Sequence, residues 1–242
     1  MIVGLVSAKG SPGVTTAALA LAAVADDGLL VELDPSGGSV EAWTGVGGEP
    51  GLVRVASGLR RSAGSDSVVE HVVDVPPGVR AILAPTTGPY AESTVAMTRD
   101  RLTSALRDLA GATVILDLGR WSRSQATAHR VSGCDVVGVV CTPTVDGVEA
   151  ARWLVEPLQA EGAGPVVVVT VGERPYQPAE IAAAMGVHAA GALAWDTRGL
   201  ASLITRGAGR VWSRSPLARS ARTALSSLTA AVPVVEEVSR AR

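Results

Sequence analysis

Apolar positions along this chain fall into two regimes. Short, nearly unbroken apolar runs occupy 2–7, 28–33, 79–83, 113–118, 135–141, 166–171 and 189–194, each the length of a strand. Between them the apolar residues take helical spacing, over 17–25, 93–109, 124–131, 145–160, 178–185 and 216–230. Strands that are apolar without alternation are buried on both faces, as in a parallel sheet held between two helical layers. The repeated order of strand then helix therefore predicts an α/β fold, doubly wound, with a mostly parallel sheet and helices on both faces. One domain is expected over 1–242, and the Gly-rich stretch 36–64 reads as irregular.

Composition narrows this picture. Of 242 residues 47% are hydrophobic, yet phenylalanine is absent, so small and branched aliphatics and five tryptophans must fill the core. The net charge of -2 carries no global basic field that would advertise nucleic acid. One stretch departs from that balance: Arg198, Arg206, Arg210, Arg214, Arg219 and Arg222 share it with a single acid, Asp196, and Trp212 is its aromatic. This is read first as a solvated face, with DNA phosphates as the less favoured partner. Cys134 and Cys141 make no disulfide framework and suit buried thiols in a reducing compartment. The apolar helical run 14–25 falls short of the roughly 20 residues that span a bilayer, and the chain opens directly on a strand, so a cytoplasmic location is expected. His71, His129 and His188 are scattered without ligand spacing.

The chemistry lies in one loop. The only lysine of the chain opens the run Lys9-Gly10-Ser11-Pro12-Gly13-Val14-Thr15-Thr16, between the first strand and the first helix. Gly-rich loops in that position bind phosphate, because backbone N–H groups and a helix N-terminus converge on the anion. The common P-loop ends in Gly-Lys-Ser/Thr, with the lysine on the β- and γ-phosphates and the hydroxyl on Mg²⁺. Here Gly13 and Thr15 keep the glycine and the hydroxyl, and Val14 stands at the lysine position.

This loop resembles the deviant Walker A of the MinD/ParA superfamily of P-loop (SIMIBI-type) NTPases, in which a second, signature lysine comes first; Lys9 matches it, and Ser11 replaces a glycine. The likeness continues along the chain. Leu29-Leu30-Val31-Glu32-Leu33-Asp34-Pro35 is similar to the family's second motif, with Glu32 at its first aspartate and Asp34 at its second. Val114-Ile115-Leu116-Asp117-Leu118-Gly119 resembles the Walker B strand. Cys141-Thr142-Pro143-Thr144 and Gly191-Ala192-Leu193-Ala194-Trp195-Asp196 match later motifs in order, while Thr170 stands where an asparagine often contacts the base. Loss of the in-loop lysine with retention of the signature lysine is most similar to the TadZ/CpaE branch, which localises Tad/Flp pilus machinery.

The resemblance implies an ATP-binding homodimer in which Lys9 reaches the partner's phosphates and residues Gly10, Ser11, Pro12, Gly13, Val14, Thr15 and Thr16 cradle the subunit's own. It implies Mg²⁺ on Thr15 and Asp117, water positioned by Asp34, and a nucleotide contact at Pro143. A missing cation worth roughly 1.5–3 kcal/mol implies binding about 10- to 150-fold weaker and slow or absent hydrolysis. The implied partner is a protein assembly to be positioned, such as pilus or secretion machinery. Two alternatives stay open: a pseudo-ATPase scaffold without productive nucleotide, and a ParA-type DNA-partitioning ATPase.

Overall fold

The structure is a computed structural model that describes residues 1–10, 12–46, 51–61, 64–75, 78–122 and 130–233. Eight strands form one sheet: β1 (Ile2–Ser7), β2 (Gly28–Glu32), β3 (Val73–Val75), β4 (Val79–Ile82), β5 (Thr113–Arg120), β6 (Val136–Cys141), β7 (Val166–Val171) and β8 (His188–Leu193). Their order is β3-β4-β2-β5-β1-β6-β7-β8, and every pair is parallel except β3 with β4. The expected doubly wound sheet is therefore present, with one short antiparallel edge strand added. β1 lies between β5 and β6, so the chain leaves it in opposite directions and a crevice opens at the strands' carboxyl ends.

The helices divide between two apolar layers. One face of the sheet is covered by α1 (Val14–Val24), α9 (Thr197–Arg206), α10 (Arg210–Ser213) and α11 (Pro216–Ala231), with Leu19, Leu203, Trp212 and Leu217 among its buried residues. The other face carries α3 (Gly51–Arg61), α5 (Gly88–Arg107), α6 (Val145–Arg152), α7 (Val155–Ala160) and α8 (Pro178–Met185). Strand residues sort between the layers by parity: Val114, Leu116 and Leu118 belong to the α5 side, Ile115 to the α1 side. α1 is buried nearly all round, which explains its Ala/Leu composition without a polar stripe.

Two readings need correction. The stretch 36–64 is not irregular: it holds α2 (Val40–Thr44) and α3. Leu52, Val55, Ala56 and Leu59 recur at helical spacing and are buried, and Gly51 and Gly58 disguise the pattern without breaking it. The predicted helix 145–160 is two helices, α6 and α7, separated by a turn at Trp153 and Leu154. β3, α4 (Asp66–Val69), α9 and α10 were not anticipated, being short or placed in a stretch dominated by arginine and glycine. Most of the helix expected over 124–131 lies outside the described residues. No helix among the described residues is long and apolar enough to cross a membrane.

Because α3 is held by its apolar stripe, Leu59→Ala is expected to lower unfolding free energy by about 2–5 kcal/mol. Arg60→Ala, on the exposed side, is expected to change it by less than about 0.5 kcal/mol. Urea unfolding followed by far-UV circular dichroism measures both; equal effects would mean α3 does not dock through that stripe.

Candidate functional site

The carboxyl ends of β1, β2, β5, β7 and β8 open into one cleft of about 610 Å³. Its floor is the expected loop: Gly10, Pro12, Gly13, Val14, Thr15 and Thr16 all line it, while Ser11 lies outside the described residues. Gly13 takes a left-handed backbone (φ 94°) and caps α1, whose first turn carries no acidic residue. No acidic side chain of α1 itself therefore neutralises the positive end of that helix beside the cleft. Val14 is only 6% exposed and packs in the α1 layer, so the position that usually carries a lysine is here part of the core.

Behind the loop sits a set of three carboxylates with different fates. Asp117, at the end of β5, is buried; burial pushes its carboxyl up to about 7, helped by the charges of Glu32 and Asp34 and opposed by hydrogen bonds from the Thr15 hydroxyl and the Gly119 N–H. The Gly119 bond is 3.0 Å long. Thr15, on the first turn of α1, and Asp117 are thus brought together as expected.

Glu32 serves a different end. Its buried carboxylate accepts N–H groups from Ser39 (2.8 Å), Val40 (3.0 Å) and Ala84 (3.1 Å), clasping the start of α2 to the end of β4. Burial raises its pKa and the three backbone donors pull the other way. A side chain at Gly38 would come within 2.5 Å of its Oε2, so the clasp requires that glycine.

Asp34 both shapes a turn and faces the cleft. Its Oδ1 accepts the Ser36 N–H at 2.8 Å, forming a turn, and it also lines the cleft. Its carboxyl rests against Gly119, where a side chain would come within 2.1 Å and where the backbone is left-handed (φ 62°).

Lys9 does not line this cleft. Its side chain is 54% exposed and its ammonium donates to Asp146 at 3.0 Å, at the start of α6. That contact lowers the Asp146 pKa. Pro143 also stands apart from the cleft lining, its carbonyl accepting the Tyr176 N–H at 3.4 Å. Thr170 is buried and its hydroxyl donates to the Gly172 carbonyl at 3.0 Å.

Trp43, Val171, Leu200 and Arg120 line the cleft without having been singled out in the sequence, whereas Trp195 and Asp196 end a motif that was. Trp43, on α2, and Trp195, which is 75% exposed, add aromatic surface to the walls, joined by Val171 and Leu200. Asp196 caps α9 through Gly199 (2.8 Å) and holds the Leu217 N–H at 3.3 Å, tying α11 to the cleft rim. Arg120 lines the cleft from the last position of β5; its place after the Asp117 motif was the one available signal.

No family model matches the chain. The uncharacterized protein Rv3660c of Mycobacterium tuberculosis is 30% identical over 229 residues, which cover 94% of this chain. The chain spans 63% of the length of that relative. Among solved structures, a ParA family ATPase from Chlorobium tepidum superposes with a TM-score of 0.71 at 16% identity, covering 93% of this chain and 98% of that one. The cell division ATPase MinD of Pyrococcus furiosus gives 0.70 at 16% identity over 95% and 98%. MinD from Pyrococcus horikoshii complexed with Mg-ADP gives 0.68 at 16% identity over 93% of each chain. The fold is that of the MinD and ParA ATPases.

Elsewhere the expectations of ordinary residues hold. The buried thiols of Cys134 and Cys141 are pushed up to about 12 and about 11 by burial, and no nucleophile is implied. No group of three or more metal-ligating side chains occurs among the described residues. The six arginines of 198–222 are exposed, but Trp212 is 1% exposed and unavailable for stacking on a base.

Two substitutions test this geometry. Glu32→Gln places an amide donor against at least one backbone donor, and an unsatisfied buried group costs about 1–3 kcal/mol; a loss of that size in chemical denaturation is expected, and an unchanged midpoint would dissolve the clasp. Gly119→Ala must adopt a left-handed backbone, costing roughly 1–2 kcal/mol, and displace Asp34. A variant that unfolds at the parental urea concentration would show that neither constraint operates.

Proposed function

We propose that residues 1–242 act as a single nucleotide-binding domain that takes Mg·ATP in this cleft and serves to position a larger protein assembly. The observation that carries the reading is the hydrogen bond between Thr15, at the start of α1, and the buried Asp117, directly behind a loop whose helix terminus faces open space. Phosphate would be met by the backbone N–H groups of Gly10, Gly13 and Thr16 and by the positive end of α1. Residue 11 belongs to the same cradle by sequence.

The residues present suit a magnesium ion. Burial first, and the nearby charges of Glu32 and Asp34 after it, raise the Asp117 pKa, so a cation beside this carboxylate would be favoured. A hard divalent cation prefers such oxygens and completes its shell from phosphates and water. Thr15 and Asp117 would hold it, and bound there it would neutralise charge on the phosphates.

Hydrolysis is expected to be slow. Val14 takes the lysine's place in the core, so the usual in-loop cation is missing, and losing one preorganised charge often costs about 100-fold in rate. Asp34, at the cleft with one oxygen engaged in its own turn, is the residue suited to orient water. Lys9 is displaced from its own cleft toward the outer surface, which supports a role on the phosphates of a second subunit in a nucleotide-dependent homodimer. Retention of Lys9 without the in-loop lysine supports the TadZ/CpaE-like variety of MinD/ParA protein, with pilus or secretion machinery as the assembly.

Light scattering after size exclusion, with and without Mg·ATP, tests the reading. The parent chain is expected to pass from monomer to dimer with nucleotide, and Lys9→Ala to stay monomeric while melting at the parental temperature. A Lys9→Ala chain that dimerises as readily as the parent would favour the nucleotide-free scaffold.

A further inference from the structure

Val14 removes a cation from the loop and Lys9 points away, yet the cleft is not without positive charge. Among the described residues that line it, Arg120 carries the one cationic side chain, against the carboxylates of Asp34 and Asp196. Arg120 is exposed and takes part in none of the hydrogen bonds or ion pairs found among the described residues. An arginine left unpaired in a cleft that also holds two carboxylates is free to meet an anionic ligand.

Its placement follows from a break in the sheet. β1 and β5 run in register from Ile2 opposite Val114 to Leu5 opposite Asp117, then shift, so that Ser7 lies opposite Arg120. The shift inserts one extra residue into β5, and Gly119 supplies the left-handed backbone (φ 62°) that a bulge of this kind needs. Alternation is thereby inverted. In an unbroken strand Arg120 would follow Val114, Leu116 and Leu118 into the α5 layer. The bulge delivers it instead to the side of Asp117 and the phosphate loop. The Trp121 N–H, bonded to the Ser7 carbonyl at 2.7 Å, fixes the backbone just beyond.

We propose that Arg120 is a phosphate-binding residue, gripping the triphosphate of the nucleotide from within the same subunit in place of the cation that Val14 has displaced. This rests on the nucleotide reading above. A guanidinium is planar, always charged and able to pair two phosphate oxygens at once, so it need not follow the lysine's path through the loop. Asp34, which lines the same cleft, would repel those phosphates, and a cation at Arg120 would offset that charge.

Calorimetric titration of Mg·ATP into the purified chain decides the matter, with Arg120→Gln and Arg120→Lys alongside the parent. Removing one charge-assisted contact is expected to weaken Mg·ATP by 10- to 150-fold in Arg120→Gln. Arg120→Lys, which keeps the charge, should fall within about tenfold of the parent. Melting temperatures of the unliganded chains should agree, since the side chain is exposed. Equal affinities of the parent and Arg120→Gln would overturn the assignment while leaving nucleotide binding in place. A parent chain that takes up no Mg·ATP would overturn both.

Discussion

Burying Asp117 at the end of β5 is unfavourable unless its charge is met, and the way it is met organises the carboxyl edge of the sheet. The Thr15 hydroxyl and the Gly119 N–H are its partners, one from the start of α1 and one from the bulge of β5. The first ties the loop over 10–16 down onto the central strands. The second keeps the bulge closed, and the bulge in turn seats Asp34 on one side and Arg120 on the other. These contacts soften the burial without cancelling it, which leaves the carboxyl at about 7. A carboxyl left in that state beside a cleft suits the proposed magnesium ion, which would supply the charge that the protein itself does not.

The sequence was readable where one face or both faces of an element were uniformly buried. β1 and β7 occupy the predicted 2–7 and 166–171 because unbroken valine-rich runs have one use in a fold of this size. α3 hid because glycine at Gly51 and Gly58 outweighed four well-spaced apolar residues in a propensity reading, whereas packing against α5 decides the matter in the chain. Glu32 was recognisable as the acid of a strand-end motif; that it would accept three backbone N–H groups depends on tertiary contacts between residues up to 52 positions apart.

The candidate site was legible in its loop and its carboxylates and illegible in its walls. Thr15, Asp34 and Asp117 belong to local patterns, a loop and two strand ends, so their convergence follows from parallel strands sharing an edge. Trp43 and Arg120 have no such pattern. Counting alternation along β5 from Val114 puts Arg120 on the wrong face, since only the register shift at Ser7 reverses it. A single inserted residue thus conceals a charge that sequence reasoning found missing.

On the proposed reading the two cations divide their tasks by geometry. Lys9 and Asp146 are both well exposed, at 54% and 72%, so water and salt screen their attraction and the pair is easily exchanged for a stronger anion. Among the described residues Arg120 has no pair to break, and it would stand inside the cleft before any second subunit arrives. Nucleotide would then bind first to a monomer through backbone amides and Arg120, and the phosphates so gathered would be the anion that draws Lys9 of another copy from its carboxylate. A lysine kept in the loop would hold those phosphates without help, and the energetic incentive to recruit the second subunit would be smaller. On this reading, replacing it with a buried valine would shift part of phosphate recognition to the strand edge and the dimer, which would favour an assembly that reports nucleotide by associating over an enzyme that turns it over quickly.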